Sequence, residues 1–125
     1  MKSIIVNFIP QTAQRIPGQV GDYFETEGAV VFRITRFENP AYSFAVLLHE
    51  LHERFRNLQF DIRDEEVDAF DLKHPELDDP GLDPRAPYHA CHMEADALER
   101  LFILLTGNDW IEYEAAISGL VVGEK

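Results

Sequence analysis

The residues best suited to chemistry lie in the run His49-Glu50-Leu51-His52-Glu53, inside an apolar-patterned segment from Tyr42 to Leu58. The run differs from the His-Glu-x-x-His zinc motif at its last position, where a glutamate replaces the second histidine. His49 and Glu53 stand four residues apart, so on a helix both side chains project from one face. An imidazole and a carboxylate at that spacing can grip one divalent cation, with Glu50 beside them as a candidate proton acceptor.

All 5 histidines (His49, His52, His74, His89 and His92) fall in the middle of the chain, between the first strands and the last helix. At ~100° per residue, His49 and Glu53 are only roughly 40° apart and lie away from the Leu47/Leu51/Phe55 stripe. In a later segment His89, His92, Asp96 and Glu99 share the side opposite Leu98, Leu101 and Leu105. If the two polar faces meet, His49, Glu53 and His92 make a two-histidine, one-carboxylate set that could hold a zinc ion with one position open. A charged face opposite an apolar stripe is also what any solvated helix shows, and spacing alone leaves both readings open. His52 and His74 read as surface residues, whereas His89, one turn before His92, can face the same cleft. Trp110 and Tyr113 read as packing aromatics.

The elements that must position these groups follow from periodicity and punctuation. Ser3–Ile9 is rich in β-branched residues and stopped by Pro10, so it reads as a strand, followed by a loop over Gln11–Gly21. Asp22–Glu25 and Ala29–Arg36 read as two more strands around a turn at Thr26-Glu27-Gly28, giving a small antiparallel sheet. Asn39-Pro40 opens a helix on which Phe44, Leu47, Leu48, Leu51, Phe55 and Leu58 form the apolar stripe. A short helix over Asp64–Leu72 has Asp64 as its cap and Val67, Phe70 and Leu72 facing inward. Lys73–Pro87, with its prolines and Gly81, reads as a loop. A third helix over Tyr88–Thr106 carries Ala90, Ala97, Leu98, Leu101, Phe102 and Leu105 on its apolar side; Gly107 ends it, and a last helix covers Asp109–Ser118. Strands first and helices after predict one α+β domain over residues 1–125.

Composition bounds the function classes. The 125 residues, 46% hydrophobic and 27% charged, have the balance of an ordinary globular domain. A net charge of −12 without clustered Lys and Arg argues against nucleic-acid binding, and no apolar run is long enough to span a membrane. The lone Cys91 can form no internal disulfide and points to a reducing cytoplasm. The N-terminal run lacks a cleavage-site pattern and reads as a strand rather than a signal peptide.

Four segments together resemble a family of small phage and prophage proteins with a zincin-like His-Glu-x-x-Glu helix. They are Leu48–Glu53, Val67–Asp71, Asp83–His92 with its Asp-Pro-Arg-Ala-Pro-Tyr start, and Asp109–Glu114 with its Asp-Trp and Tyr-Glu pairs. The resemblance covers roughly the last two-thirds of the chain. It implies a zincin-like fold and a site built on His49, Glu50, Glu53 and His92, with Asp68 and Asp71 as acidic positions nearby. His52 and His89 fall on variable positions of the motifs. Leu82 stands where an acidic residue is expected, which turns attention to Asp83. The leading expectation is a metal-dependent, metallopeptidase-like hydrolase, in which His49, Glu53 and His92 bind the cation and Glu50 accepts a proton. Asp71, Asp68 and His89 are candidates for a fourth ligand or for supporting contacts. Zinc is the first choice of metal, and the carboxylate ligand opens the site to Mn²⁺ or Mg²⁺. One alternative is a non-enzymatic acidic module that binds a host protein in the cytoplasm. A second is a Mg²⁺-dependent nucleotide pyrophosphohydrolase using Glu50 and Glu53, a reading that the leading strands do not fit.

Overall fold

The computed structural model describes residues 3–123. Three strands, β1 (Ser3–Ile9), β2 (Gly21–Thr26) and β3 (Ala29–Thr35), precede four helices, α1 (Pro40–Gln59), α2 (Asp64–Lys73), α3 (His89–Leu105) and α4 (Trp110–Gly123). The arrangement is α+β, as the sequence implies. Among the described residues no helix is long and apolar enough to cross a membrane.

The sheet has the order β1-β3-β2, and it corrects one expectation: it is mixed rather than antiparallel. β2 and β3 form the antiparallel hairpin, closed by Glu27 and by Gly28 at φ +82, a value that favours glycine. β1 lies on the other side of β3 and runs parallel to it, pairing Ile4 with Val30, Val6 with Phe32 and Phe8 with Ile34. Parallel neighbours need a crossover of a dozen residues or more. Here the crossover is the whole of residues 10–28, with β2 as part of it, so no local signal announces it. The segment after β1 is tied to the end of β3: the Thr35 hydroxyl donates to Gln11 Oε1 (2.6 Å) and accepts from Gln14 Nε2 (2.9 Å).

α1 begins where Asn39 accepts a hydrogen bond from the Ala41 amide, with Pro40 in the first turn. It ends at Gln59, and two residues on the chain turns away at Asp61, whose φ of 57 is left-handed and of a kind that Asp tolerates. α2 starts at Asp64 itself, with Arg63 in the capping position that the sequence suggested for Asp64. α4 continues past Ser118 to Gly123. The core joins Tyr23, Val30, Phe32 and Ile34 of the sheet to Ala45, Val46 and Leu47 of α1, Ile103 of α3 and Tyr113 of α4. A smaller cluster of Val67, Ala86 and Tyr88 fastens α2 to the loop before α3, and Leu72 stays exposed.

α1 and α3 form the most extensive helix–helix contact. They run antiparallel, since His49 meets Glu99 while Arg56 meets Glu94. Their faces are turned opposite to the usual rule. The polar sides meet inside, and much of the apolar stripe of each helix is exposed: Phe44, Leu48, Phe55 and Leu58 on α1, and Leu98, Leu101 and Leu105 on α3. Ile103 and Leu104 therefore make a sharp comparison as sequence neighbours on opposite sides of α3. Ile103→Ala is expected to lower stability by about 2–5 kcal/mol, and Leu104→Ala by no more than about 0.5 kcal/mol, in urea unfolding. Equal losses at the two positions would contradict this orientation of α3.

Candidate metal centre

His49 and Glu53 lie one turn apart on the inward face of α1, and α3 brings His92 against them; all three are buried. His49 Nε2 is 3.0 Å from Glu53 Oε2 and 3.1 Å from His92 Nδ1, which is itself 2.8 Å from Glu53 Oε2. Three potential donor atoms thus converge on one point. The fold brings His49, Glu53 and His92 together.

The outward nitrogens fix what the inward ones carry. His49 Nδ1 faces Glu99 Oε1 at 2.7 Å and Asp96 Oδ1 at 3.2 Å. His92 Nε2 faces Asp79 Oδ1 at 3.1 Å. Ionised carboxylates only accept hydrogen bonds, so both outward nitrogens carry protons. In neutral imidazoles the lone pairs then sit on His49 Nε2 and His92 Nδ1, aimed at each other and at Glu53. A histidine with one nitrogen on a carboxylate and the other free for a cation is the usual arrangement of metal sites. Without a cation, three lone pairs would repel, and protons must fill the gap. Burial works against charge on His49, but hydrogen bonds to Asp96, Glu53 and Glu99 outweigh it and hold the imidazole well above its ordinary pKa. On His92 burial is likewise overcome, by Asp79 and Glu53, which push it up to about 10. Burial opposes ionisation of Glu53 too, yet the two histidines bring it down to about 2.

The supporting contacts come from every layer of the fold. Tyr23 of β2 donates from its hydroxyl to Glu53 Oε1 (3.1 Å) and accepts from Asn57 Nδ2 (3.2 Å). Tyr113 of α4 donates to Glu99 Oε2. The loop before α3 supplies Asp79 and lays Gly81 against the His92 ring, where a Cβ would fall 2.3–2.6 Å from ring atoms. No side chain fits there without moving the imidazole or the loop.

Glu50 is partly exposed overall, with its carboxyl packed under Gly21, where a Cβ would lie 2.7 Å from Glu50 Oε1. Among the described residues no donor is hydrogen-bonded to it. Burial, then the charge of Glu53, raises it to about 8. It lines the same cleft as His49, Glu53 and His92, a cavity of about 770 Å³.

The other sequence candidates separate. Asp71 lines the cleft, accepting from the Tyr88 hydroxyl and from Gln19 Nε2 (3.2 Å), and burial raises it to about 6. Asp68 pairs with Arg15 (3.2 Å). His89 is drawn to the Gly81 carbonyl (2.8 Å), an alternative to facing the metal ligands. His52 lies outside the cluster with Glu94 (2.6 Å), and His74 is beside Glu76 (3.6 Å). Asp83 pairs locally with Arg85 (2.8 Å) and is absent from the cleft lining. Asp96 offers a second carboxylate within 4.8 Å of donor atoms on both histidines. With His49 and His92 it makes a group that could hold a metal ion; it is partly exposed and approaches their outward nitrogens, at 3.2 and 3.6 Å, whereas Glu53 approaches the inward ones. Sequence reasoning did not find Asp79 or Tyr23: the first is one of several loop carboxylates, and the second is one aromatic in a strand.

No protein-family model, curated protein or solved structure matches this chain.

Two outcomes follow from the packing. Gly81→Ala should weaken metal uptake by about 10–100-fold, through the displaced imidazole, while thermal unfolding stays cooperative; unchanged uptake would show that the close approach is not needed. The second concerns the metal-free chain. The raised value of His92 gives stability that is full below its unfolded pKa and lost as pH rises through 10. Glu50, raised to about 8, adds a cost that grows as pH climbs from its unfolded value toward 8. Glu53, lowered to about 2, stabilises above its unfolded value and fails only as pH falls toward 2. Chelator-treated protein should therefore melt higher at about pH 5.5 than at about pH 8.5, with a smaller difference in Glu50→Gln. A melting temperature that rises with pH over that range would contradict these charge states.

Proposed function

We propose that the chain is a divalent-metal-dependent hydrolase, zincin-like in architecture and metallopeptidase-like in its use of a His-Glu-x-x-Glu helix. The observation that carries this reading is the convergence of His49 Nε2, His92 Nδ1 and Glu53 Oε2, with both outward histidine nitrogens already held by carboxylates. That donor set suits a cation, because in the neutral imidazoles and the carboxylate all three groups can offer lone pairs at once. Two imidazoles and one carboxylate suit Zn²⁺, with Mn²⁺ or Mg²⁺ as the harder alternatives. A cation bound there supplies Lewis acidity and makes a nearby water more acidic.

The chain's own residues do the rest. Glu99 and Asp79 hold the imidazoles in the metal-binding tautomer and orientation. Glu50, with no hydrogen-bond donor on its carboxyl among the described residues and raised to about 8, is suited to take a proton from water and return it to a leaving group. Asp71 and Tyr88 form a wall of the cleft where substrate would lie.

Among the described residues the cleft lining includes Asp22, Asp68, Asp71, Glu76 and Asp79 and no lysine or arginine. A nucleoside triphosphate would meet a surplus of carboxylates there, which weighs against the pyrophosphohydrolase reading. The resemblance to phage and prophage proteins and the buried free thiol of Cys91 support a role in the host cytoplasm.

Elemental analysis of protein purified without added ions tests the proposal. Bound Zn²⁺ or Mn²⁺ near one per chain is expected, and it should be lost in the His49→Ala/His92→Ala double variant. A wild-type protein that stays metal-free in excess Zn²⁺ or Mn²⁺ would sink it. Glu50→Gln should keep the metal and lower hydrolysis of a peptide, amide and ester panel by about 10²–10⁴-fold. Metal retention with binding of a host protein and no hydrolysis by wild type would favour the acidic-module reading instead.

A further inference from the structure

The outer face of the α1–α3 pair has no role in the proposed site. On α1, Phe44, Leu48 and Phe55 lie within roughly 40° of one another around the axis, and Glu53 points the opposite way. On α3, Leu98, Leu101 and Leu105 fall within roughly 60°, away from His92 and Asp96. These six side chains are each between 37% and 76% exposed. Because the helices are antiparallel with His49 against Glu99, Leu48 comes level with Leu98 and Phe44 with the end of α3 that carries Leu105. The two stripes lie on the same outer side of the helix pair, with the paired Glu94, Arg56 and His52 between them.

We propose that a second copy of this chain docks on this surface, helix pair against helix pair, as an isologous dimer. The area argues for it. Large apolar side chains at these exposures present roughly 500–600 Å². A standard interface buries about 800 Å² per partner, of which about 60% is apolar, so the six residues supply the apolar share of one side. The charges on this face are also compatible with a like copy. Where the two helices meet, Glu94 is bound by Arg56 (2.8 Å) and His52 (2.6 Å), so the seam carries little net charge although the chain carries −12. Two α-helices from each copy, crossing at a shallow angle, would interleave these leucines and phenylalanines as in a four-helix bundle. A chain of net charge −12 is poorly suited to lay the same face on an anionic membrane.

Sedimentation over a concentration series, on the metal-loaded full chain, tests the proposal. The expected result is a reversible dimer with a dissociation constant of roughly 10 μM or tighter. It should tighten as salt screens the repulsion between two acidic copies. Leu48→Glu/Leu101→Glu should weaken association by at least about 100-fold. Both positions are exposed in the monomer, so the far-UV spectrum and metal content should not change. Methyl contacts between differently labelled wild-type copies supply a readout that needs no variant, and they should involve Leu98, Leu101 and Leu105. A wild-type protein that remains monomeric at every concentration would overturn the proposal. So would a dimer whose intermolecular contacts run instead through the exposed Ile4 and Ile5 of edge strand β1.

Discussion

The close approach of His49 and His92, each held between carboxylates, is the constraint on which the structure depends. Taking ionisable groups out of water costs several kcal/mol apiece unless each is matched. Here the match runs along a chain of alternating sign, from Glu99 to His49, Glu53, His92 and Asp79. Tyr113 closes one end and Tyr23 satisfies the free oxygen of Glu53. Removing one member leaves its neighbour charged and buried, a loss of about 3–5 kcal/mol in comparable pairs. Apolar residues of similar volume would hold α1 and α3 together at least as well. Stability alone therefore does not explain why the contact is polar, whereas the proposed cation binding would.

Each element contributes to that chain in a way that explains its placement. The alternation of β2 puts Tyr23 opposite Phe32 on the side facing α1, and so within reach of both Glu53 and Asn57. α4 packs Tyr113 into the core beside Tyr42 and Trp110 and aims its hydroxyl at Glu99. The loop before α3 folds back until the Gly81 backbone rests on the His92 ring, which brings Asp79 to the outward nitrogen. Sheet, last helix and loop are thus supports for one cluster on two helices.

Much of this was legible in the sequence because it is local or periodic. The four-residue spacing put His49 and Glu53 on one face, and the helical wheel of α3 set His92, Asp96 and Glu99 opposite Leu98, Leu101 and Leu105. What periodicity does not supply is a sign. It shows that a helix has two unlike faces, and the expectation that the apolar one turns inward holds only when nothing outside the chain covers it. The parallel pairing of β1 was hidden because it depends on residues distant in the chain. Asp79 was hidden because Glu76, Asp78 and Asp79 look alike locally, and only the fold of the loop decides which one reaches His92.

The inverted helix pair also bears on how a cleft and a docking face can coexist. On α1 the cluster and the exposed stripe lie on opposite sides of the axis, and on α3 the same division holds. A partner on the outer face would bury both helices all round while leaving the 770 Å³ cleft and its acidic walls open to solvent on the far side. The outer contact would also stiffen the two backbones that carry His49, Glu53 and His92. Donor atoms within about 3 Å of one another tolerate little relative sliding of their helices. In this architecture the exposed apolar residues would still form a core, one shared between two copies, and the cluster would draw its rigidity from it.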